Sequence, residues 1–325
     1  MKLTDSIKAV KPPTLKKGDT IGITAPSSQV VTKGVSAFIR FIEERGYKVK
    51  LGDLITHIKD TDYNAGSIKD RADDLNKMIR DPEVKAIFAG AGGFGAQMTS
   101  HFVDYKALMK NPKIIVGFSD TTYLLNSIYE KTGIISFLGP TAEHYNTDND
   151  KICAEYTFDI IEGKAKNPYE VKNFDGSIIR RIGEADSNAI GRICGGNLTM
   201  MQMTIGTEFA VNTNGKIILI EEVGESSYAI ERILDHLFTA GYFENPAAVV
   251  IGEFSNIKRE PIESAEEGNP SVNEILVKKF GKTEFPVLIG YNFSHDTYNL
   301  TLPIGGLGKV DGRKRTFSII DNSLV

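Results

Sequence analysis

The chain has 325 residues, of which 41% are hydrophobic and 25% charged, with a formal net charge of −4 and a pI near 5.8. That length suggests two domains rather than one, with apolar residues enough for a sizeable core. The acidic balance and the mixing of charges along the chain exclude the basic stripe of a nucleic-acid binder.

Two cysteines, Cys153 and Cys194, exclude a disulfide framework, and no Cys/His spacing points to a zinc site. No apolar run approaches the ~20 residues that span a bilayer. The first residues, Met-Lys-Leu-Thr-Asp-Ser, put Lys2 and Asp5 where a secretory signal needs an apolar run. A cytoplasmic location is the expectation.

In chain order, Thr20–Ala25 reads as a buried strand that stops at Pro26-Ser27-Ser28. Thr32–Arg45 has helical spacing, with Val35, Phe38, Ile39 and Ile42 on one face and Gly46 as the stop. Tyr47–Leu51 is the next strand, Ile68–Arg80 a helix, and Val84–Ala89 a strand that runs into glycines. Tyr105–Met109 is a short helical piece, Ile114–Val116 a strand, and Thr121–Lys131 a helix closed by Gly133. This alternation predicts an α/β fold: a parallel sheet with helices on both faces, flavodoxin- or Rossmann-like.

Beyond Pro140 the pattern changes. Residues 141–180 are polar and mixed, with a helix near Ala154–Ile161. Strand-like runs follow at Ala189–Ile193, Lys216–Glu221, Ala248–Glu253 and Pro286–Gly290, with one clear helix at Ala229–Ala240. The expectation is an N-terminal α/β domain over 1–145, a linking region over 146–180 and a β-rich domain with few helices over 181–325.

Two turns carry chemistry. Gly117-Phe118-Ser119-Asp120 passes from strand to helix within a few residues, which lifts a serine above the carboxyl edge of the sheet with a helix N-terminus behind it. Thr121 occupies the place of the second glycine in Gly-x-Ser-x-Gly. The plain alternative is that Ser119 or Asp120 merely caps the helix.

Gly90-Ala91-Gly92-Gly93-Phe94-Gly95 formally matches the dinucleotide fingerprint. Strand–helix units precede it, however, and the next strand ends in the serine turn rather than at a ribose-binding acid. Adjacent strand ends lie side by side in a parallel sheet. Gly93 can therefore aim a backbone N–H at the same oxyanion as the Asp120 N–H.

Taken together, the segments resemble the LD-carboxypeptidase family of serine peptidases, which includes the microcin C self-immunity peptidases. The matching stretches are Leu15–Ser28, Arg71-Ala-Asp-Asp-Leu75, Gly92–Gly95, Gly117–Asp120, Gly139-Pro140, Gly195-Gly-Asn-Leu198, Leu219-Ile-Glu-Glu222 and His295 followed by Leu300–Gly305. The resemblance implies a nucleophile at Ser119, an acid at Glu221, a base at His295, no metal or organic cofactor, and a homodimer. Relatives usually carry Arg where Ala91 stands, Tyr for Phe94, and His for Leu138 before Gly139-Pro140.

Read by themselves, the partners are less determined. Glu221 ends the apolar run Ile217–Ile220, with Glu222 and Glu225 as rivals, and strand alternation puts Glu221 and Glu222 on opposite faces. Among His57, His101, His144, His236 and His295, only the last has a motif behind it.

The implied reaction removes the terminal D-alanine from an L-centre of a murein tetrapeptide. Microcin C-like cleavage of a peptide–nucleotide amide is the alternative. The best-known peptidases of that branch stack a tryptophan on the base, and this chain has none. A ligand-binding protein without turnover is a third reading.

Overall fold

The computed structural model describes residues 7–57, 63–258 and 270–325. The first six residues, on which the expected location rests, lie outside the described residues.

Five strands follow one another in the first half: β1 (Thr20–Thr24), β2 (Lys48–Leu51), β3 (Val84–Ala89), β4 (Ile114–Gly117) and β5 (Ser136–Leu138). They pair in the order β2-β1-β3-β4-β5, every neighbour parallel. This is the flavodoxin-like order, and it reverses direction between β1 and β3. The loops leaving the carboxyl ends of those two strands mark the topological switch point, where sites of open α/β sheets lie. The Pro26-Ser27-Ser28 turn and the glycine loop are those two loops. β4, beside β3, delivers the Ser119 turn to the same edge.

The second half holds β6 (Tyr169–Glu170), β7 (Arg180–Ile182), β8 (Asn188–Asn197), β9 (Ile217–Val223), β10 (Ala248–Ser255), β11 (Val287–Ile289), β12 (Leu302–Ile304), β13 (Leu307–Asp311) and β14 (Thr316–Ile319). Eight of these form one sheet in the order β6-β14-β13-β8-β9-β10-β11-β7, with a parallel centre, β8-β9-β10-β11, between antiparallel flanks. Ile217–Ile220 and Ala248–Ile251 are buried throughout, as strands covered on both faces must be.

The second half carries more helix than its sequence suggested. Helices Leu198–Met203 and Val272–Phe280 accompany the expected one, observed at Ser227–Thr239. Neither gives a clear periodic signal in the sequence. The first is only six residues, too short for a periodic signal. The second is marked chiefly by a capping box, in which Ser271 accepts from the Glu274 N–H and Glu274 reaches back to the Ser271 N–H.

Residues 141–180 are not an open linker in space. The helix Asp148–Ile161 opens with a Thr147–Asp150 capping box and packs Ala154, Phe158 and Ile161 into the core of the first sheet, where the Phe158 and Phe88 rings stack at 5.9 Å.

The two halves are locked together. β12 leaves the second half and pairs antiparallel with β5, becoming the sixth strand of the first sheet. One apolar cluster runs from Leu124, Ile128 and Leu138 through Ile193 and Leu219 to Val250 and Phe317. An interface of that kind is core rather than a hinge cleft. No helix is long and apolar enough to cross a membrane among the described residues, and both cysteines are buried and unpaired with each other.

Candidate active site

Ser119 sits at φ 60°, the left-handed region that a residue with a side chain adopts only when its surroundings compel it. β4 runs directly into a single 3₁₀ turn, Ser119–Thr121, and then into the helix Thr122–Thr132. Thr121 folds back over Gly117, and its hydroxyl donates to the Phe118 carbonyl at 2.7 Å. The threonine in place of a second glycine therefore braces the turn. The cap positions of the turn and of the helix are Phe118 and Thr121, and neither makes a side-chain capping hydrogen bond.

The glycine loop lies against the serine. A Cβ on Gly92 would stand 2.8 Å from Ser119 Cβ and 3.1 Å from its Oγ. Gly93 has φ +98°, and a Cβ there would overlap Ser28. Ser28 holds the loop from the β1 side. Its N–H donates to the Gly92 carbonyl at 3.1 Å, and its Oγ accepts from the Phe94 N–H at 2.9 Å. The loops of β1, β3 and β4 thus form one structure around the serine.

The Asp120 carboxylate is buried. It accepts from Ser27 Oγ and from the Ala96 N–H at 2.8 Å. Burial pushes this carboxyl above its ordinary range, while those donors and the nearby Arg71 charge pull it back. Arg71 is itself buried, donating to the Gly66 carbonyl at 2.5 Å, the Thr99 hydroxyl at 3.1 Å and the Gly95 carbonyl at 3.3 Å.

From the second sheet, β9 brings Glu221 to the same edge. Its carboxylate is fully buried, and Oε2 lies 2.8 Å from His295 Nδ1. Glu221 Oε1 has no hydrogen-bond partner among the described residues. Burial pushes the Glu221 carboxyl up, and the His295 interaction opposes that shift.

Glu222 faces the other way, as strand alternation requires. It accepts from Asn197 Nδ2 at 2.9 Å, from the Thr199 N–H at 2.9 Å and from Thr199 Oγ1 at 2.6 Å. It is a buried structural carboxylate, and the Glu225 rival is only half-buried on the loop beyond.

His295 is the one recessed histidine of the five, the other four being exposed. Its ring packs on Phe118, the residue before Ser119, with centroids 4.5 Å apart. That contact crosses from one sheet to the other and brings the imidazole to the serine turn. His295 Nε2 has no hydrogen-bond partner among the described residues. The loop that carries it is held by Glu253 at the end of β10, which accepts from Ser294 Oγ at 2.7 Å and Asn292 Nδ2 at 3.3 Å.

The structure therefore gathers Ser119, Gly93, Asp120, Glu221 and His295 at one edge. An imidazole oriented through Nδ1 by a carboxylate, beside a strained serine and flanking loop amides, has the parts for acyl transfer. Sequence reasoning assigned no role to Ser27, Ser28, Arg71, Asn197, Glu253 or Ser294. Their signal lay in position, since Ser27 and Ser28 follow β1, the other strand of the switch point. Among the described residues no group of three or more His, Cys, Asp or Glu side chains could hold a metal ion.

Comparison with known proteins agrees in extent. A family model described as the LD-carboxypeptidase N-terminal domain matches residues 21–139, and one described as the LD-carboxypeptidase C-terminal domain matches residues 190–310. A probable murein peptide carboxypeptidase of Bacillus subtilis is 32% identical over 313 residues, covering 94% of this chain and 93% of its own. The microcin C7 self-immunity protein of Escherichia coli is 30% identical over 343 residues, covering 95% of each. A solved structure of a microcin C7 self-immunity protein in complex with aspartyl sulfamoyl adenosine superimposes with a TM-score of 0.84 at 29% identity, over 97% of this chain and 100% of that one.

Proposed function

Because this chain belongs to the LD-carboxypeptidase family, we propose that it is a serine carboxypeptidase that releases terminal D-alanine from murein tetrapeptides. The observation that carries the proposal is the pairing of His295 Nδ1 with the buried Glu221 carboxylate, its ring on Phe118 beside the strained Ser119.

In this reading Glu221 fixes the imidazole and stabilises its charged form. His295 Nε2 takes the Ser119 proton as Oγ bonds to the carbonyl carbon of the L-residue. The Gly93 and Asp120 N–H groups hold the oxyanion of the tetrahedral intermediate. Collapse breaks the C–N bond, and His295 returns its proton to the departing D-alanine amine. Water then attacks the acyl-serine, with His295 again as base, and frees Ser119. A homodimer and a cytoplasmic location belong to the same proposal, and sedimentation and cell fractionation test them.

The test is D-alanine release from purified murein tetrapeptide, followed by mass spectrometry, for wild type and Ser119→Ala. Release by the wild type alone supports both substrate class and nucleophile. If neither protein releases D-alanine, the murein substrate is wrong.

The likeness to the microcin C7 self-immunity proteins, one solved with an aminoacyl sulfamoyl nucleoside, supports a second reading, hydrolysis of an aminoacyl-nucleotide amide. Without a tryptophan in the chain, Tyr or Phe would have to stack on the base. Turnover of such an amide in place of the tetrapeptide would favour it.

A further inference from the structure

We infer that the Asp120 side chain, with Ser27 and Arg71, is a positioning device that sets the two oxyanion N–H groups relative to each other. The inference rests on the reading of Ser119 as a nucleophile, and adds to it a role for the buried Asp120 carboxylate.

The two amides come from different segments. The Asp120 N–H belongs to the turn after β4, and the Gly93 N–H to the loop after β3. No pairing of β3 with β4 reaches that far, since their register ends at Phe88 and Val116. Something beyond the sheet must hold the loops together. The Asp120 carboxylate makes that connection, accepting from the Ala96 N–H at the start of the helix that closes the glycine loop, and from Ser27 Oγ on the loop after β1. Three loops meet on one carboxyl group.

Arg71 backs the arrangement from the far side. Its guanidinium holds the Gly95 carbonyl at 3.3 Å and the Gly66 carbonyl at 2.5 Å, and a Cβ on Gly95 would collide with it at 2.9 Å. Its charge offsets the cost of burying the Asp120 carboxylate. A buried charge is an expensive way to hold a loop. Its advantage is that charge-assisted hydrogen bonds are short and directional. Oxyanion donors need that precision, because a misplacement of about 1 Å can cost about 10²-fold in rate.

The device acts on the transition state and not on bound peptide, and the test uses that difference. Asp120→Asn and Ser27→Ala are compared with wild type for kcat and KM on the tetrapeptide, for affinity for the tripeptide product, and for affinity for a peptidyl phosphonate that mimics the tetrahedral intermediate. The rate of Ser119 labelling by a fluorophosphonate is read in parallel, because it reports the oxyanion site whatever the natural substrate is.

The expectation is a 10- to 100-fold fall in kcat for Asp120→Asn, roughly the cost of a misplaced oxyanion donor. The same factor is lost in phosphonate affinity, with KM and product affinity within about threefold. Ser27→Ala, which removes one donor and keeps the carboxylate, shows a smaller loss of the same kind and serves if Asp120→Asn does not fold.

Equal losses in product and phosphonate affinity, or unchanged kcat and labelling in both variants, overturn the inference. If wild type labels at Ser119 but releases no D-alanine, the murein reading fails alone. The labelling rates of the variants then decide the inference, tenfold slower sustaining it and equal rates overturning it.

Discussion

His295 Nδ1 lies 2.8 Å from Glu221 Oε2, and the two residues come from different strand ends of the second sheet, β9 and the loop after β11. The carboxylate is wholly buried and burial raises its pKa, so its charged form is held at a cost to the fold.

Glu221→Gln separates those two effects. An amide can present its NH₂ to Nδ1 and favour the wrong tautomer, and in a serine triad the corresponding change costs about 10⁴ in kcat. A loss of about 10³- to 10⁴-fold in D-alanine release is expected. Stability moves the opposite way. Because the folded-state pKa of Glu221 is raised, its favourable contribution is complete below the ordinary glutamate value and is lost as pH rises through the raised one. Gln carries no such penalty. Urea midpoints measured at pH 4 and pH 7.5 should show the variant gaining on wild type at the higher pH. A midpoint difference that does not shift toward the variant as pH rises would refute this.

Gly92→Ala tests the contact between the glycine loop and the nucleophile. Gly92 does not adopt positive φ, so alanine meets no backbone strain there. Its Cβ would meet Ser119 Cβ at 2.8 Å and Phe118 O at 3.4 Å. The serine must turn away, and kcat/KM should fall at least about 100-fold, while the melting temperature changes by only a few degrees. Near-wild-type turnover would show that the loop does not confine the serine.

Asn126 joins the helix behind the serine to β8. Its Oδ1 accepts from the Gly195 N–H at 2.9 Å and its Nδ2 donates to the Gly195 carbonyl at 3.0 Å, all buried. Asn126→Ala leaves both backbone groups without that partner, at about 1–3 kcal/mol each. Equilibrium unfolding in urea should show a loss of about 2–6 kcal/mol. Asn126→Asp keeps the acceptor but turns a second oxygen on the Gly195 carbonyl, so it should not rescue. A loss under about 0.5 kcal/mol for the alanine variant would mean that this tether adds nothing to the β12–β5 pairing and the shared apolar core.

Glu253 holds the His295 loop through Ser294 and Asn292. Glu253→Ala releases the hydroxyl that also accepts from the Asp296 N–H at 3.1 Å. Losing about 1–2 kcal/mol of loop order corresponds to about 5- to 30-fold in kcat, with faster proteolysis within residues 291–299. Unchanged kcat in a folded variant would exclude this tether from the reaction.

The alternation of apolar runs and helical stripes through residue 133 determined the first sheet, because its short apolar strands stand between helices, Thr32–Glu44, Ile68–Arg80 and Thr122–Thr132, that are long enough to state their own period. β3, β4 and the helix Ile68–Arg80 lie where the periodicity puts them, and the direction in which Glu221 and Glu222 diverge follows from strand alternation alone. Short elements carry no such signal. β5, β12 and the helix Leu198–Met203 have three to six residues, and pairing partners far along the chain decide their conformation.

The candidate site divides along the same line. Ser119 was legible because a strand, a glycine and a helix start lie within a few residues of it. Glu221 and His295 were selected by family resemblance, since an acid after an apolar strand and a lone loop histidine are common in any chain. What the tertiary structure alone decided is their meeting. His295 reaches Phe118 across 177 positions of sequence because β12 crosses to pair with β5 and a shared apolar core closes the two sheets on each other. The same is true of Asp120. As the residue after the serine it was legible for its N–H, but its carboxylate finds Ser27 and Ala96 only because β1, β3 and β4 end side by side. Local periodicity records which residues a strand or helix contains, and contacts between separate elements depend on packing that no single window of sequence holds.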